Sequence, residues 1–109
     1  MKSPLTPEAA ELIARRFLAL SDPTRLRIVD LLRDSGGASV RELTAALGSS
    51  QQNISKHLAT LHAEGFVSRR KQGTSSIYAI ADPSVFDLCE QVCGGIEAQL
   101  EELGAMLKA

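Results

Sequence analysis

The chain has 109 residues, of which 44% are hydrophobic, 23% charged and only 4% aromatic, and its net charge is −1. This length predicts one domain, spanning residues 1–109, with a modest helical core built from Leu, Ile, Val and Ala. No apolar run approaches about 18 residues and the N-terminus lacks an apolar signal sequence, so neither a membrane span nor export is expected, and a cytoplasmic location is the default.

Charge is distributed unevenly along the chain. Residues 21–81 contain eight Lys or Arg against five acids, whereas residues 82–109 contain six acids against Lys108 alone. The middle of the chain is therefore suited to contact a polyanion, and the C-terminal part is not.

Four segments before Phe66 each begin with a helix-capping pattern. The first two have a capping residue followed by proline at the first helical position. The next two have a capping box, in which a serine is followed three residues later by Glu or Gln. The predicted caps are Thr6, Asp22, Ser39 and Ser49, and the predicted stops of the second, third and fourth helices are Gly36-Gly37, Gly48 and Gly65.

The segment 66–81 changes from helical to strand periodicity. Residues 77–80 alternate in a stretch rich in strand formers, and Gln72-Gly73 marks a turn, so a β-hairpin is predicted. Asp82-Pro83 then begins a final helix over about 83–107. The fold class predicted is mainly α with a small β-hairpin: a winged helix-turn-helix, with the helix-turn-helix at about 39–64 and the wing at about 66–81.

The predicted helix at residues 51–64 has an outer face without acids. At about 100° per residue, Ile54, Leu58 and Leu61 fall together and should face the core. The opposite face carries uncharged polar residues and Lys56, and residues 49–63 contain no acid. Gln, Asn, Ser and Thr can pair with base edges, lysine can contact phosphate or guanine, and a helix N-terminus can seat a phosphate. This face is therefore suited to a DNA major groove.

Three adjacent cations, Arg69, Arg70 and Lys71, lie in the predicted hairpin, where a wing could grip phosphate. The alternatives are a solvated helix face that reads nothing and a charged strand edge that prevents aggregation. Because both features occur in the order that a winged helix requires, we predict binding to double-stranded DNA. The candidate DNA-binding residues are Ser49, Ser50, Gln51, Gln52, Asn53, Ser55, Lys56, His57, Thr60, Arg69, Arg70, Lys71 and Thr74.

Three separated blocks carry a resemblance to a known family: LSDPTRLRIVDLL, VRELTAALGSSQQNISKHLATLHAEGFV and RRKQGTSSIYAIAD. They resemble the ArsR/SmtB family of winged-helix repressors over about residues 9–88. The resemblance implies a homodimer built from the first and last helices, at about 6–20 and 83–107. It also implies a recognition helix at about 50–63, an inverted-repeat operator, and release when an inducer is sensed.

Two metal sites known in that family are absent here. At the positions of a Cys-x-Cys site in the first helix of the helix-turn-helix stand Ser39 and Arg41. A second site uses an Asp and a His at the start of the last helix and a His and a Glu about eleven residues later. Of these only Asp82 is present, because Ser84, Gly95 and Ala98 occupy the other positions. His57 and His62 have no ligand neighbours in the sequence, so a structural or phosphate-contacting role is expected for both.

Cys89 and Cys93 are the remaining sensor candidates. They are four residues apart on the predicted last helix and therefore share a face, on which two thiolates could chelate one soft metal or metalloid ion. A disulfide within an intact helix is awkward, since the Cβ atoms lie about 5–6 Å apart and a disulfide requires about 3.8 Å. Gly94 and Gly95 each destabilise a helix by about 1 kcal/mol relative to alanine, so local unwinding there would require little free energy.

Three interpretations of this pair stay open: soft-metal sensing, thiol oxidation or persulfide sensing, and simple packing at a dimer seam. Packing is favoured by the apolar stripe in which the cysteines lie, since buried cysteine behaves as a small hydrophobe. The stripe consists of Val85, Cys89, Val92, Cys93, Ile96, Leu100, Leu103 and Leu107. No other cofactor is predicted.

Two other classes of function are alternatives to a DNA-binding regulator. The sequence contains no nucleophile–base constellation, phosphate loop or metal motif, and the cysteines lack the spacing of a CxxC redox motif, so an enzyme is not expected. A winged helix used only for protein contacts would not require an acid-free outer face, and retention on DNA separates that alternative from a regulator.

Overall fold

The computed structural model describes residues 3–108, with side chains described as far as Met106, so the side chain of Leu107 lies outside this range. The prediction of a mainly helical winged helix-turn-helix with a small β-hairpin is confirmed. In the described residues the order of elements is α1 (Pro7–Leu20), α2 (Pro23–Leu32), β1 (Ala38–Ser39), α3 (Val40–Leu47), α4 (Gln51–Ala63), β2 (Val67–Gln72), β3 (Ser75–Ile80) and α5 (Ser84–Lys108).

Three of the four predicted helix caps occur where the sequence places them. Thr6 caps α1 and Asp22 caps α2, each by accepting hydrogen bonds from backbone N–H groups of the first turn. At α3, Ser39 Oγ accepts from the Glu42 N–H at 3.1 Å, and Glu42 Oε1 accepts from the Ser39 N–H at 3.0 Å. The N–H groups of Ser39 and Glu42, which have no partner within the helix, each bond to the other residue's side chain. These two bonds fix the start of this short helix.

The fourth cap is shifted by one residue from its prediction. Ser50, not Ser49, is the N-cap of α4, and its Oγ accepts from the Asn53 N–H at 3.1 Å. Gly48 ends α3 in the left-handed conformation, with φ of 66°, so Ser49 completes the turn between the helices. The predicted Ser49–Gln52 capping box is therefore wrong, and Ser49 Oγ instead accepts from Asn53 Nδ2 at 2.8 Å.

The sheet contains a strand that the sequence pattern did not reveal. Its order is β1-β3-β2 with antiparallel pairing, and β1 contributes Ala38 opposite Tyr78 and Ser39 opposite Ile77. Gly37, just before β1, has φ of 139°, and a Cβ there would lie 2.8 Å from Ile77 Cγ2. Only glycine lets the backbone approach β3 this closely without displacing a side chain.

The apolar core lies between α2, α3, α4 and the sheet. Ile54, Leu58 and Leu61 of α4 are completely buried, as their helical spacing predicted. Their burial turns the opposite side of α4 outward, and this side is the predicted DNA-reading face. The buried apolar residues are Ala19, Leu20, Ile28, Val29, Leu32, Ala38, Leu43, Ile54, Leu58, Leu61, Phe66, Val67, Tyr78 and Val85.

Two helices, α1 and α5, are only partly covered by the rest of the chain. Val85 anchors the start of α5, but from Glu90 to Met106 every described residue except Gly104 is exposed. The large apolar residues left exposed on these helices are Leu12, Phe17, Leu18, Val92, Ile96, Leu100, Leu103 and Met106, at 52–74% exposure. Among the described helices, none has the length and apolar character needed to cross a bilayer.

Candidate nucleic-acid interface

The outward side of α4 presents a compact polar surface. Gln51, Gln52, Ser55 and Lys56 are all exposed and together line a shallow depression near the start of the helix. The four side chains offer amide, hydroxyl and ammonium groups, which are the groups that pair with base edges and phosphates. This surface, which we call the reading surface, contains four of the predicted DNA-binding residues.

The turn before α4 uses three other predicted residues for its own structure. Ser50 caps the helix. Asn53 is half-buried, and its Nδ2 donates a hydrogen bond to Ser49 Oγ. These contacts hold the two helices in a fixed turn. Thr60, one turn beyond Lys56, is half-buried, and its hydroxyl donates to the Lys56 carbonyl at 3.4 Å.

His57, a predicted DNA-binding residue for which a structural role was also expected, does not lie on the reading surface. Its side chain is only 11% exposed, and Nδ1 lies 3.0 Å from Arg25 Nη1 on α2. The physical reason is visible in the spacing, because His57 is three residues after Ile54 and four before Leu61 and therefore shares their side of the helix. A polar residue at a core-facing position requires a partner, and that partner is Arg25.

The wing carries its cations on both faces of β2. Residues 69–71 are all exposed, and none forms a salt bridge within residues 3–108. Because side chains alternate along a strand, Arg69 and Lys71 point to one face and Arg70 to the other. Arg70 Nη1 lies 3.5 Å from the position that a Cβ on Gly37 would occupy, so this side chain lies against the β1 side. Arg69 Nε donates to Ser76 Oγ at 3.2 Å.

The hairpin turn differs by one residue from its prediction. Gln72 pairs with Ser75 in the sheet, so Gly73 and Thr74 form the two-residue turn rather than Gln72-Gly73. Gly73 has φ of 64°, a conformation that suits the first position of such a hairpin turn. Thr74, a predicted DNA-binding residue, is exposed at the tip.

A charged cluster not predicted from the sequence joins α1, α2 and α4. Arg25 donates from Nε to the Ala19 carbonyl at 2.6 Å and from Nη2 to the Leu18 carbonyl at 3.2 Å. Asp22 Oδ2 accepts from the Thr24 and Arg25 N–H groups and lies 3.8 Å from His57 Nε2. The Arg25 N–H is the main reason that the pKa of Asp22 is below its ordinary value, so this carboxylate stays charged.

A second arginine connects α1 to the far end of α4. Arg16 donates from Nη1 to the Glu64 carbonyl at 2.7 Å and pairs from Nη2 with Asp82 Oδ2 at 3.1 Å. Its guanidinium also lies 4.6 Å from the centre of the Phe66 ring. Hydrogen bonding from Ser84, followed by the charge of Arg16, lowers the pKa of Asp82. Asp82 therefore accepts from the Ser84 N–H at the start of α5 and is the ion-pair partner of Arg16.

The two cysteines line an apolar groove between α1, α2 and α5. The groove has a volume of about 420 Å³ and is lined largely by apolar side chains, including Phe17, Val29 and Phe86. Cys89 is half-buried, and Cys93 is exposed with Sγ 3.6 Å from Glu97 Oε1. The negative charge of Glu97 and this hydrogen bond raise the pKa of Cys93 above its ordinary value.

The donor set for a metal ion is incomplete within one protomer. In the part of the chain that the structure describes, no cluster of three or more His, Cys, Asp or Glu side chains has the arrangement of a metal site. A soft ion held by Cys89 and Cys93 would therefore require a further donor from a second subunit or an exogenous ligand. Thiolate sulfur suits such an ion, but the geometry within this chain supplies two sulfurs.

Comparisons with known proteins show which family this chain resembles. A family model described as "Bacterial regulatory protein, arsR family" matches residues 22–69. The uncharacterized HTH-type transcriptional regulator MJ1325 of Methanocaldococcus jannaschii is 39% identical over 85 residues, covering 78% of this chain and 96% of the relative. The arsenical resistance operon repressor of Escherichia coli is 49% identical over 57 residues, covering 52% of this chain and 49% of the relative.

Solved structures extend the similarity to nearly the whole fold. The crystal structure of Rv0081 from M. tuberculosis has a TM-score of 0.78 at 31% identity and covers 90% of this chain and 97% of the other. The homodimeric winged helix-turn-helix DNA-binding domain Mb0332 of Mycobacterium bovis has a TM-score of 0.74 at 30% identity, covering 93% and 95%. The antimony-specific transcriptional repressor AntR has a TM-score of 0.76 at 30% identity, covering 92% and 90%. Such relatives are transcriptional regulators and not enzymes, as predicted.

The contact between Cys93 and Glu97 generates a prediction about thiol reactivity. Because the carboxylate of Glu97 raises the pKa of Cys93, Glu97→Gln should lower that pKa and increase the thiolate fraction near neutral pH. In a Cys89→Ser background, iodoacetamide should therefore alkylate Cys93 faster in the Glu97→Gln variant, as followed by mass spectrometry. Glu101→Gln, two turns from the thiol, is the matched control. Equal rates in both variants would contradict the contact.

Proposed function

Because the chain belongs to the ArsR family of bacterial regulatory proteins, we propose that it is a homodimeric repressor that binds an inverted-repeat operator and is released by an inducer. In this proposal residues 1–109 form one DNA-binding domain that acts in the cytoplasm. The observation that carries it is the reading surface of α4, which is exposed, free of acids and seated on a completely buried apolar face.

Base reading is assigned to the first turns of α4. Gln51 and Gln52 are the first two residues of α4, and Ser55 and Lys56 lie one turn later on the same exposed surface. The Asn53 N–H is already occupied by the Ser50 cap, and the Ile54 N–H bonds to the Ser50 carbonyl. The N–H groups of residues 51 and 52 are thus the ones left to meet a phosphate at the positive end of the helix dipole.

Phosphate contacts are assigned to the wing. Arg69 and Lys71 extend from one face of β2, and Thr74 stands at the tip. Long cationic side chains without acidic partners can follow a DNA backbone and make binding dependent on salt. Arg70 points to the other face, so we assign it a smaller part than its two neighbours.

Two substitutions should distinguish base recognition from phosphate binding. Gln52→Ala should reduce affinity for the operator and relax sequence preference, because a good bidentate base contact is worth about 1–3 kcal/mol. Lys71→Ala should weaken binding to all sequences and reduce the salt slope by about 1. The measurement is fluorescence anisotropy on the DNA upstream of the protein's own gene and on a scrambled duplex of equal length.

The outcomes of this titration bear on distinct parts of the proposal. If Gln52→Ala changes neither affinity nor preference, α4 is seated differently from the arrangement proposed here. If the parent protein binds neither duplex, the fold serves protein contacts instead of DNA recognition.

The dimer is proposed from the uncovered apolar residues of α1 and α5. Ile96, Leu100 and Leu103 recur at helical spacing on one side of α5 and are more than half exposed in the protomer. A contiguous apolar surface of this kind marks a protein interface. The structural relative Mb0332 is homodimeric, which supports the same assembly for this chain. A two-fold dimer would present two copies of α4 to two half-sites about one DNA turn apart.

Placing a charge in this surface should separate the subunits. Ile96→Asp should yield a monomer in light scattering at micromolar concentration and lose most operator affinity, because an unpaired carboxylate would be buried at the interface. Gln91→Asp adds the same charge on the opposite side of α5 and should remain dimeric. A monomeric parent, or a dimeric Ile96→Asp variant, would contradict the assembly.

Inducer sensing is assigned to Cys89 and Cys93. Both line the groove between the proposed dimer helix α5 and the α1–α2 pair, so a ligand bound there would act on the subunit arrangement. Two relatives are an arsenical resistance operon repressor and an antimony-specific repressor, which favours a soft metalloid.

Serine substitutions test the thiols directly. Cys89→Ser and Cys93→Ser should each abolish release from operator by arsenite or cadmium while leaving inducer-free binding intact. A coupling of about 1–3 kcal/mol corresponds to a 5–150-fold loss of operator affinity in the parent. Peroxide and polysulfide are titrated in parallel, since release by these agents alone would indicate thiol oxidation. If both variants bind and release as the parent does, the cysteines only pack at the dimer seam.

A further inference from the structure

The charged cluster at the corner of α1 and α2 contacts α4 through His57. We propose that Arg25 is a positioning residue that, through His57, sets the rotation of α4 and hence its sequence preference. The inference rests on the proposed function and assigns a role to residues that do not contact DNA in it.

Arg25 connects three helices through one rigid group. Its Nε and Nη2 donate to the Ala19 and Leu18 carbonyls at the end of α1. The Leu18 carbonyl also accepts from the Ser21 N–H at 3.0 Å. Arg25 Nη1 lies 3.0 Å from His57 Nδ1 on α4. Because the guanidinium is planar and its donors are fixed relative to one another, anchoring two of them on α1 determines where the third points.

The imidazole of His57 has one orientation in this contact. A guanidinium can only donate hydrogen bonds, so Nδ1 must be the acceptor and the ring hydrogen lies on Nε2. Nε2 faces Asp22 Oδ2 at 3.8 Å, and Asp22 is itself held by the N–H groups of Thr24 and Arg25. The ring therefore lies between a fixed donor and a fixed carboxylate, with only 11% of the side chain exposed.

Rotation of α4 matters more for base reading than for phosphate binding. A helix with side chains is about 10–12 Å across, so a rotation of about 10° displaces the side-chain tips by about 1 Å. Hydrogen bonds to base edges tolerate less than this, because donor–acceptor distances fall within about 2.7–3.2 Å. Lys56 and the wing cations can follow a phosphate over such a shift. The apolar face of Ile54, Leu58 and Leu61 holds α4 against the core but is not directional.

The test compares specific with non-specific binding for four variants. The probes are the duplex that the parent dimer selects from a randomised library and a scrambled duplex of the same composition, both titrated by fluorescence anisotropy. Arg25→Ala and His57→Leu should reduce the ratio of the two affinities by about 5–150-fold, the equivalent of one lost bidentate base contact. Affinity for the scrambled duplex should stay unchanged. Arg27→Ala, an exposed arginine on the same helix, should leave both affinities unchanged.

His57→Gln supplies the rescue, because its side-chain oxygen can accept from Arg25 Nη1. This variant should keep most of the specificity that His57→Leu loses. A purely structural role would lower both affinities by the same factor through a smaller folded fraction, which circular dichroism monitors, and would leave their ratio unchanged. That result, or equal ratios for His57→Gln and His57→Leu, would overturn the inference, even if Arg25→Ala fails to fold. A parent without sequence preference would instead overturn the proposed function together with this inference.

Discussion

The complete burial of one face of α4 is the constraint on which the other features depend. Ile54, Leu58 and Leu61 are removed from water altogether, and the side of the helix opposite them is consequently the reading surface. Apolar packing determines which side faces outward, but it is tolerant of small rotations and shifts. Directional contacts complete the placement: Arg25 reaches His57 in the middle of α4, and Arg16 reaches the carbonyl of Glu64, the C-cap that follows α4. The burial of α4 thus comes from apolar packing, whereas its orientation comes from hydrogen bonds.

Both of these arginine contacts lead back to α1, which gives that helix two roles. Arg16 belongs to α1, and Arg25 donates to two carbonyls at the end of α1. Hydrogen bonds therefore connect α1 to α4 and its C-cap at two points. The same helix exposes Leu12, Phe17 and Leu18, which are available to a second subunit. A change in how two protomers meet would therefore act on the reading surface through hydrogen-bonded contacts and not only through the apolar core.

The sequence was sufficient where one local rule decided the structure. Capping residues located three helix starts, and the spacing of Ile54, Leu58 and Leu61 identified the buried face of α4. The sequence was insufficient where contacts between residues distant in the chain determined the structure. The two residues of β1 are too few to show strand periodicity, and they pair only because the wing returns beside them. The same helical spacing could have placed His57 with the core residues, yet its partner lies 32 residues away on α2.

The uncovered length of α5 would make order in this helix depend on the proposed association of two subunits. From Glu90 to Met106 it has almost no cover from its own protomer, and it contains Gly94, Gly95 and Gly104, each of which weakens a helix by about 1 kcal/mol. Isolated helices become marginal in water below about 12–15 residues even in alanine-rich sequences, so this segment is only slightly longer than that limit and its three glycines offset the difference. For the proposed dimer, dilution below the dissociation constant should therefore melt this segment and expose it to proteases. Protein concentration would then set the thermal midpoint, and a poorly expressed regulator would be both inactive and short-lived.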